Sequence, residues 1–519
     1  MAADSAARAD CIVIGGGHNG LVCATLLARR GRSVVLFEAA PQVGGAAITR
    51  ELAPGYRVPG AAHLVHLMPQ RLIAELDLER HGLEWAATSL PTSALVLGNT
   101  PLRIAPEALG ADAEAYRSYR ERMQRLARVL APVLEQRPPR LGSGRWADHR
   151  ALLGLGWRLR RLGRRDLREL LRIGAMNVHD LLEEQFASPV LRGALGFDAV
   201  LGSNFGPRSP GSVLTLLYRL AAESAAGPRG LAQPRGGVGA LTQALARAAT
   251  AAGVSVRTRA PVARVLVEQD RAAGVELESG ERLAASCVIS NADPKSTFLG
   301  LVGARHLDTG FVRRIDHLRT RGLAAKLHLA LDRAPAFAGL PAEALRGRLL
   351  LAPSLEYLER AFNATKYAEY SAAPAFEITV PSLSDPGLTP AGHHVLSAIV
   401  QYVPYEVQGG WEQARRALLE RCIDTLAQLA PGLESSIVAA ELLTPVDLER
   451  ELRIGGGHWH QADLAFDQFY FVRPVPGATQ HATPLPGLYL CGAGCHPGGG
   501  VMGIAGRNAA QAILEATPV

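Results

Sequence analysis

The apolar positions near the start of the chain form short unbroken runs. Residues 10–14 hold four apolar residues in a row, and 33–37 hold another four. Such runs fit strands buried on both faces of a parallel sheet. Between them, 21–30 reads as a helix that stops at Gly31. Residues 240–245 start a further helix after a Gly-rich stretch, 234–239. Strands follow at 254–257, 262–267, 273–277 and 287–289, and a last one at 485–492 with a turn before it. Residues 504–516 read as a closing helix. The middle is different in character. Residues 110–225 have long Leu and Arg periodicity and read as helical. Within 320–405, runs such as 325–331 and 395–400 alternate like strands, and 411–430 reads as an amphipathic helix. No internal repeat is evident.

Composition narrows the class. At 519 residues, two or three domains are expected. With 48% hydrophobic and 20% charged residues the chain is globular, neither disordered nor fibrous. Only Lys295, Lys326 and Lys366 are lysines among 55 basic residues, which reads as codon bias of a GC-rich genome. The six cysteines are scattered, with neither a disulfide framework nor zinc spacing, so no metal site is expected and a reducing, cytoplasmic setting is. No apolar run reaches the ~18 residues of a spanning helix, and no signal peptide is visible.

The net charge of +7 is local. Residues 137–172 hold eleven Arg against Asp148, Asp166 and Glu169, a balance of +8. The rest of the chain is near −1, which argues against nucleic-acid binding. This segment mixes Leu and Trp157 with Arg160, Arg161, Arg164 and Arg165. The expectation is a basic amphipathic helix that makes peripheral membrane contact.

The candidate chemistry begins at the first strand. Gly15-Gly16-Gly17-His18-Asn19-Gly20 follows it, then a helix, a strand and Glu38: strand, G-x-G-x-x-G, helix, strand, acid. Gly15 makes the tight turn, Gly17 admits a pyrophosphate against the backbone, and Gly20 lets helix and strand approach. The free N–H groups of the helix start bind phosphate. Glu38 accepts from a ribose hydroxyl, and His18 and Asn19 sit in the cofactor turn. At the other end, residues 492–503 carry Gly492, Gly494, Gly498, Gly499, Gly500 and Gly503 around Val501 and Met502. A flat ring can lie on such bare backbone, beside a helix N-terminus that favours negative charge.

With Gly44-Gly45 and Thr49 following Glu38, the chain resembles the FAD-binding superfamily of amine oxidases and phytoene desaturases. The usual form has Arg on either side of the doublet; here those positions are neutral, Ala46 among them. The tail looks like the C-terminal FAD motif of phytoene dehydrogenase-like proteins. Residues 456–460 and 467–474 are similar to one branch, named after pyridine nucleotide-disulfide oxidoreductases. That name does not fit the residues: no redox-active Cys pair is recognisable, and no second G-x-G-x-x-G follows a strand in mid-chain.

The resemblance implies an α/β fold: a discontinuous Rossmann-type FAD-binding domain over 1–75, 230–300 and 480–519, and an α+β substrate domain over 76–229 and 301–479. The helical part of the latter is 110–225 and its mixed sheet and helix part 305–479. It implies FAD held by Gly15, Gly17, His18, Asn19, Gly20, Glu38, Gly44, Gly45, Thr49, Val262 (a backbone contact to the adenine), Gly492, Gly494, Gly500, Val501 and Met502. It also implies hydride removal from a C–H bond of a lipophilic polyene- or isoprenoid-like substrate, by a desaturase or an oxidase. With no second nucleotide site, O2 or a quinone is the expected electron acceptor. The alternatives are a flavin amine oxidase, with Tyr470 and Phe471 flanking the flavin, and a non-redox flavin isomerase or FAD-retaining binder. Candidate acid–base groups are His460 first, then His458, with His63, His66 and His496 behind them. Asp467 and Arg473 are candidates for a structural pair.

Overall fold

The computed structural model describes residues 8–140 and 142–517. Its first sheet is organised around Arg8–Ile14. This strand pairs in parallel with Val34–Phe37 on one side and with Arg282–Ser290 on the other. Ser255–Arg257 continues beyond Val34–Phe37, and Leu488–Leu490 pairs with the end of Arg282–Ser290, both in parallel. The hairpin Val262–Glu268 and Arg271–Leu277 joins the start of Arg282–Ser290 in antiparallel fashion. The sheet is thus assembled from three separated stretches of chain.

The unbroken apolar runs follow from this placement, because both faces are covered. On one face Val13, Leu36 and Ile289 pack with Leu21 and Leu27 of the helix His18–Ala28, Leu245 of Gly239–Ala251 and Ile513 of Ile504–Ala516. On the other, Ile12, Phe37 and Val288 pack with Phe298 and Phe311, whose rings meet edge to face at 4.9 Å. The first helix begins at His18, three residues earlier than its periodicity suggests, inside the Gly-rich turn.

The second sheet runs in the order Ile437–Leu443, Ala324–Leu331, His394–Gln401, Ala375–Thr379, Arg348–Leu351, Thr92–Leu95, Leu102–Arg103. Its pairs are antiparallel except Arg348–Leu351 with Thr92–Leu95. A helical layer supplies a core of its own, in which Phe197 of Pro189–Val200 and Leu216 of Ser212–Ala226 pack with Leu350 of the sheet. Trp411–Leu429 places Leu418, Cys422 and Leu426 against Leu327, Leu329 and Leu331.

One expectation needs physical correction here. Alternation in 325–331 normally marks a strand with one solvated face. All eight residues of Ala324–Leu331 are buried. The alternate positions, Lys326 and His328, point into the protein rather than to water, and they lead to the site.

Candidate functional site

The Gly-rich turn is shaped by Glu38. Its Oε2 accepts from the Gly16 N–H at 2.7 Å and its Oε1 from the Ala40 N–H at 2.8 Å. Gly15 has φ +96°, which strongly favours glycine. Gly17 precedes the helix His18–Ala28 with no side-chain cap, and that helix has no acidic residue in its first turn. Its free N–H groups are therefore open to an anion. Gly44 donates its N–H to Gly16 O at 2.9 Å, and a Cβ on Gly45 would lie 3.5 Å from Gly17 Cα, so the doublet closes over the turn. Thr49 Oγ1 donates to Gly236 O and accepts from the Gly239 N–H, tying the doublet to the second stretch of the first sheet's layer. Val262 opens its strand two residues after Ala260, whose N–H donates to Glu38 O at 2.9 Å.

The C-terminal turn meets this one. A Cβ on Gly506 would fall 2.0 Å from Asn19 O, and one on Gly492 2.6 Å from Asn291 O, so backbones touch backbones. Gly494 donates to Gln461 Oε1 at 2.8 Å. Tyr218 donates to Gly499 O at 2.6 Å, and its hydroxyl also contacts Met502 Sδ at 3.8 Å. Gly503 leads uncapped into Ile504–Ala516, again without an acid in the first turn. His18 Nε2, Asn19 Oδ1, His460 Nδ1 and both amide atoms of Asn508 are buried without partners in this region. Two uncapped helix starts, a glycine cradle, an acid at the end of the second strand and unpartnered buried polar atoms are the donor set a flavin dinucleotide requires.

Beside the turns lies a cavity of about 150 Å3, lined by His18, Gly500, Val501, His460 and Trp459 on one side and by His63, Glu377, Asp198 and Arg219 on the other. The second wall is a buried polar chain. Lys326 Nζ lies 2.7 Å from His63 Nδ1, and His63 Nε2 lies 2.8 Å from Glu377 Oε1. Glu377 is bound by Arg348, which donates to Asp198 at 2.6 Å; Arg219 pairs with Asp198 at 3.3 Å and with Glu223 at 3.0 Å. Burial drives Lys326 well below its ordinary pKa, and burial with the nearby Lys326 amine holds His63 at about 4. Burial pushes Glu377 up, but Arg348 and the bond from His63 outweigh it and hold it well below the usual carboxylate range. These shifts favour a chain that runs from a neutral amine through a neutral imidazole to an ionised carboxylate. Lys326 donates to His63 Nδ1, and His63 Nε2–H donates to Glu377.

The predicted histidines part company. His460 lines the cavity, and burial first, then His458 and Arg473, keep it well below its ordinary pKa. His458 has both nitrogens engaged: Nε2 with Asp463 at 3.0 Å and Nδ1 accepting the His460 N–H at 3.2 Å. It positions His460 and has no atom for the cavity. His63 and His66 line the cavity, whereas His496 bonds to Val133 O away from it. Asp467 pairs with Arg319, not with Arg473. Arg473 is instead surrounded by carbonyls, among them those of His460, Asp463 and Ala493, because it clamps the His460 loop to the C-terminal turn. The rings of Tyr470 and Phe471 meet at 4.1 Å, tilted by 52°, and the aromatic rings at the cavity are Tyr218 and Trp459.

Sequence reasoning missed Lys326, Glu377, Arg348, Asp198 and Arg219. A signal for the first was present: one of three lysines in the chain, standing in the middle of a strand.

Fold and site together define a flavoprotein built around two seven-stranded sheets. The chain belongs to the family described as flavin containing amine oxidoreductase, whose model matches residues 20–514, and its cofactor is FAD. When bound, FAD supplies a hydride acceptor. The mouse (Mus musculus) pyridine nucleotide-disulfide oxidoreductase domain-containing protein 2 is 36% identical over 551 residues, covering 98% of this chain and 93% of that protein. A lycopene-forming phytoene desaturase of Pseudescherichia vulneris is 26% identical, covering 97% and 98%. A redesigned putrescine oxidase shares the fold with a TM-score of 0.64 at 17% identity, covering 98% and 100%.

Proposed function

We propose that this FAD-dependent oxidoreductase removes hydride from a C–H bond of a neutral, lipophilic, polyene- or isoprenoid-like substrate, as a desaturase or an oxidase. The cavity wall carries this reading. Every charged group on it is already paired within the protein: Asp198 with Arg348 and Arg219, and Glu377 with Arg348. No carboxylate is left to hold the ammonium of an amine substrate, and an unpaired charge would cost too much in such a site. The remaining lining is largely apolar, with Ala62, Leu67, Leu201, Ile399 and Leu464. About 150 Å3 admits the reacting segment of a substrate, roughly a benzene-sized group.

Removing hydride leaves a proton to be taken from the neighbouring carbon or heteroatom. The Lys326 amine, whose neutral form burial favours, keeps a free lone pair and is the chain's own acceptor; His63, with both ring nitrogens engaged by Lys326 and Glu377, positions it behind the cavity wall. His460 packs against the Gly499 backbone and excludes water there. The relation to phytoene desaturase supports the lipophilic class. For the electron acceptor we infer O2 or a quinone. No second G-x-G-x-x-G follows a strand in mid-chain, which supports that choice over NAD(P)+.

The test is anaerobic mixing of the flavin-loaded protein with detergent-dispersed polyenes and isoprenoids, and separately with primary and secondary amines. Bleaching of the flavin absorbance by the lipophiles is expected. Bleaching by amines alone would assign the site to amine oxidation. Fast saturable reoxidation by NAD(P)+ in stopped flow would overturn the acceptor.

A further inference from the structure

Four of the eight large hydrophobic side chains exposed on the described surface lie between Trp146 and Leu171. Trp146 is 69% exposed, Leu153 66% and Trp157 61%, all on the helix Trp146–Arg161; Leu171, on Gly163–Gly174, is 73% exposed. Steps of seven and eleven residues bring Leu153 and Trp157 back to within about 20° of Trp146 on a helix of 3.6 residues per turn. The three form one stripe along the solvent side. Arg150, Arg160 and Arg161 stand on either side of it and are also exposed.

These arginines are not spoken for. Among the described residues, the ion pairs of the two helices all use Asp166, Glu169 or Arg172. Arg150, Arg160, Arg161, Arg164 and Arg165 are left unpaired. A merely solvated basic face accounts for the arginines but not for two tryptophans and a leucine aligned among them. Trp at the centre and Arg at the flanks is the composition of a helix lying in a membrane interface, where rings enter the acyl boundary and guanidinium groups meet anionic headgroups. Among the described residues no helix is long and apolar enough to cross a bilayer, so contact from this helix is in the plane of the surface.

We propose that the exposed face of Trp146–Arg161, with Arg164, Arg165 and Leu171 beyond it, docks the protein on an anionic lipid surface. The helix is a fixed part of the body. Asp148, buried at its start, accepts from the Arg140 N–H at 3.0 Å, Ser143 Oγ at 2.6 Å and Gln480 Nε2 at 3.2 Å. It also neighbours a segment that reaches the cavity wall. Arg158 lies close enough to Tyr470 for its charge to act on the phenol. Tyr470 belongs to a stretch that starts at Leu464 on the cavity wall, passes the 56% exposed Phe466, and packs Phe469 against the cavity-lining Tyr218 at 6.0 Å. Docking there brings the lipid surface beside a segment that lines the cavity at Leu464 and is exposed at Phe466. This role in delivery rests on the reading that the substrate is lipophilic; the docking itself does not.

The test is co-sedimentation of flavin-loaded protein with vesicles of phosphatidylcholine alone or mixed with phosphatidylglycerol, at low and high salt, with flavin absorbance reporting the fold. Binding to the mixed vesicles should exceed binding to phosphatidylcholine by about tenfold or more and fall with salt. Brominated phosphatidylcholine in the mixed vesicles should quench tryptophan emission, less so in Trp157→Phe. Trp146→Gln with Leu153→Gln and Trp157→Gln should abolish binding, and so should Arg150→Gln with Arg160→Gln and Arg161→Gln, each with flavin content kept. Absence of binding at low salt, or binding indifferent to both variants, overturns the proposal. A dimer in light scattering that dissociates in Trp157→Gln overturns it too, by assigning the face to a second copy of the chain. Flavin bleaching by detergent-dispersed lipophiles separates the two readings. Bleaching without vesicle binding removes only the docking surface, and vesicle binding without bleaching removes only the lipophilic substrate.

Discussion

Lys326 Nζ stands 2.7 Å from Nδ1 of His63, both side chains buried, across 263 positions of sequence. Burial drives the amine well below its ordinary pKa and so favours its neutral form, whose lone pair can receive a proton. Lys326→Met removes the donor to His63 Nδ1 while nearly preserving volume. Flavin content should be unchanged and flavin reduction by the lipophilic substrate slower by about 10²–10⁴-fold. In the wild type the reduction rate should fall on the acid side with a limb well below the ordinary lysine value of 10.5, and Lys326→Met should lack that limb. Equal pH profiles for the two proteins would remove Lys326 from the chemistry.

At Gly17 two obstacles to a side chain coincide. A Cβ there would lie 2.8 Å from Asn291 Nδ2, a side-chain end that can move, and it would also face the phosphates. Gly17→Val should yield a folded protein without flavin. Adding Asn291→Ala relieves the first obstacle only, so flavin should stay absent from the double variant. Its return would show that Asn291, not the cofactor, sets the limit at Gly17.

Glu38 has two tasks, since it braces Gly16 and Ala40 before any ribose reaches it. Glu38→Ala should weaken FAD binding on the order of tenfold or more, as loss of a charge-assisted bond of ~1.5–3 kcal/mol implies. Glu38→Gln, which retains one acceptor oxygen, should lose less. Fluorimetric titration of flavin into the stripped proteins measures both.

Burial holds His18, His63 and His481 at about 4 and His496 at about 3. Unfolded, each titrates at about 6.5. Between those values the unfolded chain binds more protons than the folded one, so stability rises with pH across this window and is lost as pH falls from 6.5 towards 4. The cost is about 3 kcal/mol for each histidine at the bottom of the window. The thermal midpoint should fall steadily over that range, and His481→Gln should make the fall shallower. A midpoint flat from pH 6.5 to 4 would contradict the buried neutral state.

Local signals carried far. The turn from Gly15 to Gly20, Glu38, the glycines from 492 to 503 and the buried strands are written in neighbouring residues, and the family they suggested is the one to which the chain belongs. The wall opposite was illegible for a physical reason. His63, Lys326 and Glu377 come from distant stretches, 314 positions apart for His63 and Glu377; the second sheet brings the strands of Lys326 and Glu377 together, and a loop of the folded chain carries His63 to them. Periodicity reports which positions alternate, but not that helices and the first domain cover both faces of Ala324–Leu331. Asp467 looked available to Arg473 because they are six residues apart, yet Arg473 turns inward to carbonyls and Asp467 outward to Arg319.

The first sheet has a consequence for synthesis. Leu488–Leu490 pairs with Arg282–Ser290, and the helix Ile504–Ala516 packs on the first helix. The cofactor half of the molecule therefore stays open at one edge until residues 488–516 have left the ribosome. Translation at ~5–20 residues per second leaves that edge exposed for tens of seconds. A transcript that stops anywhere before codon 488 would encode a colourless product, however complete its first glycine turn. Yellow colour in cells is then a report that translation has passed the helix Ile504–Ala516.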